Sequence, residues 1–325
     1  MTCYKPLQGY RSIYPNMSGK YSIVFNPKHG FVDLKKQVPC GQCIGCRLER
    51  SRQWAIRCVH EASLYENNCF ITLTYDDNHL PNDGSLRKED FQKFMKRLRK
   101  RFKGIKPIPK TIQKVPDVTF LHYPIRYYMC GEYGEKYKRP HYHALLFNFD
   151  FKDKYFWCEQ NGERLYRSAA LEELWPFGHC LIGSVTFRSA AYVARYIMDK
   201  ITGDNAWLHY AVICPYTGEI LSERLPEYNS MSRRPGIAKL WFDRFKSDVY
   251  PKDEVIVRGK KVKPPTFYDR QYEILYPDEM EDIKAKRVRG AVKLAHHNTP
   301  ERLEARRIYK EKQLEFLVRT LDKEL

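Results

Sequence analysis

Apolar side chains repeat at helical spacing in residues 87–106, and this pattern predicts an amphipathic helix. Its apolar face consists of Phe91, Phe94, Met95, Leu98 and Phe102. Ser189 as N-cap and Gly203 just past the end predict a further helix over 189–202. Runs of β-branched and aromatic residues predict strands at 70–75, 125–133 and 141–149, the last two joined as an antiparallel hairpin. Other patterns predict a helix at 47–65, strands near 250–262 and a charged helical tail from about 279 to 325.

Positive charge is the main compositional feature of the 325 residues. Lys and Arg number 57 against 39 Asp and Glu, a net charge of +18 that indicates a polyanionic partner such as nucleic acid. The helix predicted at 87–106 carries ten basic and two acidic residues, and we take Lys96, Arg99 and Lys100 as candidates for phosphate contact. An ordinary solvated helix face is the alternative.

No apolar run reaches the roughly 18 residues of a membrane helix, and the N-terminus lacks an apolar signal region, so we expect a soluble intracellular protein without a membrane partner.

Two histidines, His141 and His143, lie two residues apart on a predicted strand. Side chains at this spacing project from the same face, with Tyr142 on the other. Glu132 lies across the predicted hairpin, where its carboxylate would complete a His-His-Glu set suited to a divalent cation. A pair of hydrogen-bonded structural histidines is the alternative.

A second candidate constellation lies on the helix predicted at 189–202. Tyr192, Tyr196 and Lys200 recur at i, i+4 and i+8 and so form one stripe along that helix. Such a stripe is often core packing. Tyrosine is also a nucleophile in phosphoryl transfer, and because its pKa is about 10, a nearby cation or a metal-polarised phosphate has to assist it.

Three cysteines follow the pattern C-x₂-C-x₂-C at Cys40, Cys43 and Cys46. Zinc usually takes four ligands, so Cys3 is the first candidate for the fourth and Cys58 the second. Ordinary reduced cysteines and an iron–sulfur cluster are the alternatives, although the C-x₃-C-P part of the ferredoxin pattern is absent.

Three sequence motifs together resemble those of HUH endonucleases, the initiators of rolling-circle replication. They are FITLTY at 70–75, RPHYHALLF at 139–147 and YVARYIMDK at 192–200, in the same order as in that superfamily. The third has the two-tyrosine form found in initiators of small single-stranded DNA phages. The segments PCGQCIGCR at 39–47 and CGEYGEKYKRPHYH at 130–143 are similar to the replication initiators of the gokushovirus branch of the Microviridae.

This resemblance implies an α+β fold with a central antiparallel sheet flanked by helices. It implies that His141 and His143 hold Mg²⁺ or Mn²⁺ with Glu132 as third ligand, and that Tyr192 and Tyr196 are the nucleophiles. Lys200 would position or activate a phenol or neutralise the phosphate. Arg139 and Arg195, inside the second and third motifs, are further candidates for DNA binding. Structural Zn²⁺ at the cysteine segment is an expectation from the cysteine spacing and not from the resemblance.

The resemblance also implies a reaction and partners. One tyrosine would nick a strand at the viral origin, keep a 5′-phosphotyrosine link and leave a free 3′-OH, and the second would allow closure of single-stranded circles. The expected partners are single-stranded DNA, the origin of the double-stranded replicative form, and a helicase and DNA polymerase of the bacterial host, in whose cytoplasm the protein would act. The alternatives are a plasmid initiator, a single-strand transposase, or a non-catalytic zinc-bearing nucleic-acid-binding protein.

We divide the chain into three segments. Residues 1–66 are an N-terminal cysteine-rich segment with a helix, in which 1–36 is turn-rich and expected to be loop or short strand. Residues 67–210 would form the endonuclease core. Residues 211–325 would be a C-terminal extension ending in the helical tail.

Overall fold

Seven antiparallel strands form the central sheet of the computed structural model, and the three strands predicted from sequence lie side by side in it. Their observed bounds are Asn68–Thr74 (β4), Arg126–Tyr133 (β5) and Pro140–Phe147 (β6). In spatial order the sheet consists of β12 (Tyr228–Met231), β5, β6, β4, β9 (Cys180–Gly183), β8 (Glu163–Arg167) and β7 (Tyr155–Gln160). The predicted hairpin of β5 and β6 is confirmed, and β4 pairs with β6 on the other side.

The structure describes residues 3–17, 19–105, 124–134, 137–160, 162–195, 200, 203, 206–214 and 216–315. The chain divides into two compact units, one of Met1–Arg50 with Lys284–Val318 and a larger one built on Ser51–Ile283, which contains the central sheet. The boundaries between these units along the chain follow residues 50 and 283. The boundaries of the segments predicted from sequence follow residues 66 and 210.

Because side chains alternate along each strand, the two faces of the central sheet support two separate hydrophobic cores. Phe70 and Leu145 belong to the core on what we call the α4 face, and Ile71 and Ala144 belong to the core on what we call the α2 face. The helices that contribute to the first core are α1 (Ile44–Ala62), α4 (Phe187–Arg195), α6 (Lys239–Val249), α7 (Thr266–Leu275) and the start of α8 (Pro277–Lys293). Those of the second core are α2 (Lys88–Arg101) and α3 (Ala169–Leu174). An α+β fold with helices on both faces of an antiparallel sheet is therefore confirmed.

A buried ion pair joins α1 to the sheet. Arg126 Nε lies 2.5 Å from Glu61 Oε1, and the second carboxylate oxygen accepts the backbone N–H of Ala238 at 2.6 Å. Both charged side chains are buried. Because removal of one partner leaves a buried charge uncompensated, a loss of about 3–5 kcal/mol is typical at such positions.

The predicted start of the helix at 189–202 was wrong by two residues. Helix α4 begins at Phe187, and Ser189 lies inside its first turn. The backbone N–H of Thr186 donates to Ser189 Oγ at 2.8 Å, while the Ser189 N–H donates to Thr186 Oγ1 at 3.1 Å. Thr186 is therefore the capping residue, and the two side chains satisfy each other's amides. The helix is described as far as Arg195.

The smaller unit contains a three-stranded antiparallel sheet in the order β2-β1-β3. Its strands are β1 (Leu7–Pro15), β2 (Tyr21–Val24) and β3 (Gly30–Val38). The expectation of loop or short strand at 1–36 underestimated them, because most positions are exposed on both faces and so show no alternation of apolar and polar residues.

Other elements complete the chain. The strands predicted near 250–262 are confirmed as a short hairpin, and the described part of the predicted tail is helical. These elements and the remaining ones are β13 (Val255–Val257), β14 (Lys260–Val262), α9 (Pro300–Glu315), α5 (Ala206–Tyr210), β10 (Ala211–Ile213) and β11 (Ile220–Glu223).

Candidate active site

The register of the sheet brings the two histidines and Glu132 together on the α4 face. His141 lies directly opposite Glu132 of β5 and Thr74 of β4, and His143 lies opposite Thr72. Tyr142 points to the α2 face, where it belongs to the other core. Adjacent strands therefore hold the three candidate ligands.

His143 is buried and held on both ring nitrogens. Its Nε2 lies 2.6 Å from Glu132 Oε1, and its Nδ1 lies 2.9 Å from Thr72 Oγ1. Burial, together with the neighbouring His141, holds the pKa of His143 well below its usual value of 6.5, so the ring is neutral. In a neutral ring with these partners, Nε2–H donates to the carboxylate and Nδ1 accepts from the threonine hydroxyl.

His141 is half-buried and has a fixed orientation. Its Nδ1 lies 2.6 Å from the carbonyl oxygen of Arg139, so Nδ1–H is the donor and Nε2 is left as the ligating nitrogen. The ring lies nearly parallel to that of His143, with centroids 6.4 Å apart. A backbone carbonyl that orients an imidazole in this way is a typical outer contact of a metal-binding histidine.

Two imidazoles and a carboxylate are a donor set that fits a divalent cation. His143 Nε2 is 2.6 Å from the Glu132 carboxylate. Two atoms that each lie about 2.1 Å from an octahedral ion are roughly 3 Å apart, so this pair is closer together than two ligands of one ion would be. The ligand atoms of His141, His143 and Glu132 also do not lie as close to one another as the sulfurs of Cys3, Cys40, Cys43 and Cys46, which are described below. The chemistry of the set fits the ion when the His143 ring proton sits on Nδ1, where Thr72 Oγ1 can accept it, so that Nε2 can ligate. The side chains must also move apart slightly to admit the ion.

Tyr192 of α4 contacts His143 directly. Its ring meets that of His143 edge-on, with centroids 5.1 Å apart, and it also lies edge-on to Phe70 at 6.4 Å. The side chain is 5% exposed. The structure thus joins the second and third sequence motifs at this contact. Tyr196 lies outside the described residues, and Lys200 is described as exposed.

A cavity of about 330 Å³ opens beside the histidines. Thr72, Glu132, His141 and His143 form part of its wall, and Arg139 stands at its edge. The Arg139 guanidinium donates to Asp77 Oδ1 at 2.6 Å and to the carbonyl of Tyr75 at 3.0 Å, which fixes a cation beside His141. The cavity wall is therefore polar and carries charges of both signs, with Arg139 paired to Asp77 and with Asp76 and Glu132 also in the wall.

Sequence reasoning missed several residues of this wall. They are Asp77, Tyr137, Gln160 and His179. Gln160 comes from β7 and His179 from the residue before β9, strands that the sequence patterns did not predict. The sequence shows only a glycine, Gly178, before His179, and the structure explains that glycine, since its φ is +149° and a Cβ there would lie 2.3 Å from the backbone of Asp76. The backbone of His179 also exchanges hydrogen bonds with Thr74.

The basic residues predicted to bind DNA fall into separate places. Helix α2 has the predicted apolar face, but it lies on the sheet face opposite the histidines. Lys96 and Lys100 are exposed there, whereas Arg99 donates to the carbonyl of Ile125 at 3.0 Å. Arg139 lies at the cavity, and Arg195 is half-buried at the last described residue of α4.

In the smaller unit, the structure places Cys3 beside Cys40, Cys43 and Cys46. Their four sulfurs all lie within 4.8 Å of one another, as expected of a site for a structural metal such as zinc. Burial alone would raise the pKa of Cys43, but backbone N–H groups of Tyr4 and Cys46 bring it to about 6. Burial raises the pKa of Cys3 and Cys46 in the same cluster. Cys58, the second candidate for the fourth ligand, is buried in the α4-face core instead.

The fold and the site define an α+β protein whose central sheet carries a His-His-Glu set beside a tyrosine-bearing helix. A family model for replication-associated proteins of the ORF2 type matches residues 68–201, from β4 to just beyond Lys200. No solved structure matches the chain. Among the described residues, no helix combines the length and apolar character needed to cross a membrane.

Three viral proteins are similar to this chain. Replication-associated protein VP4 of Bdellovibrio phage phiMH2K is 33% identical over 290 residues, which cover 88% of this chain and 82% of that protein. Replication-associated protein ORF2 of Spiroplasma virus 4 is 30% identical over 309 residues, covering 90% and 87%. Replication-associated protein ORF4 of Chlamydia phage 1 is 32% identical over 170 residues, covering 50% and 38%. The chain belongs to this family of replication-associated proteins of Microviridae phages.

Proposed function

We propose that this chain initiates rolling-circle replication of a phage genome by nicking one DNA strand through a tyrosine. The names of the similar proteins support the replication role, and the strongly basic composition supports DNA as the partner. The contact between the rings of Tyr192 and His143 carries the proposal, because it joins a phenol to the His-His-Glu set beside a cavity.

The residues that would hold Mg²⁺ or Mn²⁺ are His141, His143 and Glu132. When bound, the ion would polarise a phosphoryl oxygen of the scissile phosphate. Thr72 and the Arg139 carbonyl would keep the two imidazoles oriented, since each bonds the Nδ1 atom of its ring and Nε2 would be the nitrogen that holds the ion.

The nicking step would be a displacement at phosphorus. The hydroxyl of Tyr192 or Tyr196 loses its proton, its oxygen bonds to phosphorus, and the bond to the 3′ oxygen breaks. The leaving oxygen takes up a proton and becomes the free 3′-OH, while the 5′ side stays joined to the protein. Arg139 would hold the phosphate backbone at the cavity edge, and Lys200 would stabilise the phenolate or the phosphate charge.

A second tyrosine has a use in ending the reaction. While one phenol is esterified, the other attacks the regenerated origin, and the new 3′-OH then attacks the first phosphotyrosine to close a single-stranded circle. Each step exchanges one phosphodiester bond for another, so closure of the circle requires no nucleoside triphosphate. The assignment of Tyr192 and Tyr196 as the two nucleophiles is based on the third sequence motif.

Incubation with circular single-stranded DNA and Mn²⁺ tests the function. We expect a protein–DNA adduct that survives SDS and that does not form when EDTA is present. Tyr142→Phe is the matched control, because it alters the same tripeptide on the opposite sheet face and should still form the adduct. Absence of any adduct from a folded protein across several origin-containing DNAs would contradict the proposal.

A further inference from the structure

The cysteine cluster lies at the two ends of the small N-terminal sheet. Cys3 precedes β1, Cys40 follows β3, Cys43 comes next, and Cys46 lies in the first turn of α1. Closing this cluster therefore closes a loop that contains all three strands.

The distances fit four sulfurs around a single ion. In a regular tetrahedron with zinc–sulfur bonds of about 2.3 Å, the sulfurs are about 3.8 Å apart, and Cys3 Sγ lies 3.8 Å from Cys43 Sγ. That separation is far beyond the roughly 2.05 Å of a disulfide bond. The four cysteine sulfurs of an iron–sulfur cluster are distributed over two or four iron atoms, so some of them would be farther apart than the 4.8 Å within which all four sulfurs of this set lie.

Backbone amides point at the sulfurs. The N–H of Cys40 donates to Cys3 Sγ at 3.3 Å, that of Cys43 to Cys40 Sγ at 3.2 Å and that of Tyr4 to Cys43 Sγ at 3.3 Å. Such bonds stabilise negative charge on sulfur and orient metal ligands. The surroundings also differ from those of core cysteines, because Cys40, Cys43 and Cys46 are only half-buried whereas Cys69 and Cys130 are fully enclosed by apolar side chains.

The sheet between the cysteines has almost no hydrophobic core of its own. Among the described residues of 4–39, the buried positions are Gly9, Ser12 and Gly30, none of which carries a large apolar side chain. Tyr14 is 80% exposed and Phe25 58%. A sheet of this size needs another source of stability, and a structural metal is a common one.

We propose that Cys3, Cys40, Cys43 and Cys46 bind one Zn²⁺ as four thiolates, and that this binding folds the sheet of residues 4–39. Each cysteine gives up its thiol proton to solvent as its sulfur bonds to zinc. No oxidation is involved. This site is independent of the proposed nicking reaction.

Metal content and spectroscopy test the site directly. Protein purified without chelator should contain one zinc per chain, and replacement by Co²⁺ should give sulfur-to-cobalt charge-transfer bands with intense tetrahedral d–d bands. The charge-transfer bands come only from thiolate ligands, so they separate this site from any cobalt held at His141 and His143. Cys43→Ser should weaken them strongly, whereas Cys214→Ser, a half-buried cysteine outside the cluster, should leave them unchanged.

Hydrogen exchange tests the folding role in the wild-type chain, which avoids dependence on a variant that fails to fold. Removal of zinc should raise exchange of the β1 and β3 amides at least tenfold, while β4 and β6 keep their protection. Zinc-free protein with unchanged exchange in β1 and β3 would overturn the folding role. A chain that binds no thiolate-ligated metal, or a brown iron-containing product, would overturn the zinc site even if nicking were intact.

Discussion

The side chains of the tripeptide His141-Tyr142-His143 lie in two different regions of the molecule, one on each face of the central sheet. On the α4 face, the histidines stand beside a cavity with Glu132 and a tyrosine ring. On the α2 face, the Tyr142 hydroxyl is enclosed, with Tyr75 Oη 2.9 Å away, and it accepts the backbone N–H of Arg87 at 2.8 Å. One face is open to a ligand and the other is closed by its own hydrogen bonds.

The closed face explains how the open face is held in place. Tyr75 donates onward to Asp90 at 2.7 Å, so the network fastens the start of α2 to the central strands. Burial raises the pKa of Tyr142 to about 12, which keeps it a neutral donor and acceptor. The difference teaches that Tyr142 acts as an anchor between His141 and His143, and that under the proposed function the chemistry belongs to the two histidines on either side of it.

Removal of one of the two proposed histidine ligands should have the largest effect on nicking. We expect His143→Ala to reduce nicking to background, because the ring bonds Glu132 and contacts Tyr192. DNA affinity should change little, since it depends on Lys and Arg contacts to phosphates. Nicking and filter-binding assays on the same folded variant measure both quantities. A parallel loss of both would assign His143 to DNA binding instead.

The tyrosine pair should give the next largest effect. If the two phenols alternate, Tyr192→Phe and Tyr196→Phe should each retain part of the nicking activity but release no closed circles. Gel analysis of products from origin-bearing single-stranded DNA separates the two outcomes. If one of the two variants showed no nicking and the other still closed circles, the enzyme would use a single tyrosine.

Tyr142→Phe should separate the two faces. It removes a buried hydroxyl that serves the Arg87 N–H and Tyr75, so the free energy of unfolding should fall by about 1–3 kcal/mol. Nicking by the folded variant should stay within about twofold of wild type, because the change lies on the closed face. Urea denaturation and the nicking assay check the two statements separately, and a large loss of nicking at unchanged stability would refute the division of roles.

Charge reversal on α2 should have the smallest effect. Lys96 and Lys100 are exposed on the face opposite the histidines, so they can contact only a part of the DNA that passes around the sheet. If both contact phosphates of a single strand, Lys96→Glu with Lys100→Glu should lower the salt slope of binding by about 1.4. Lys252→Glu with Lys260→Glu, two exposed residues elsewhere in the chain, changes the net charge by the same amount and is the control for net charge alone. An unchanged slope would make α2 an ordinary solvated helix.

Local patterns predicted the parts of the fold that local forces determine. The apolar stripe of α2 and the strands β4, β5 and β6 could be found because each buries a continuous or periodic set of side chains. The short strands β7–β9 and the edge strand β12 could not, since their pairing depends on partners far along the chain. The small N-terminal sheet was also missed, because exposure on both faces removes its pattern.

The site was predictable as far as strand geometry reaches. The spacing of His141 and His143 fixes their common face, and the hairpin places Glu132 opposite His141. The sequence did not indicate that Thr72 would hold His143 or that Arg139 would be fixed by Asp77. It also gave no sign that α2, the most basic helix, would lie on the other face, because the order of elements in a sheet is a tertiary property.

Mapping the DNA-linked residue tests the central claim most directly. The SDS-resistant adduct formed with Mn²⁺ would be digested with nuclease and trypsin, and the peptide that retains a nucleotide would be sequenced by mass spectrometry. We predict linkage to Tyr192 or Tyr196, and no adduct from the double Phe variant. Linkage to any other residue, or an adduct that persists in the double variant, would contradict the account.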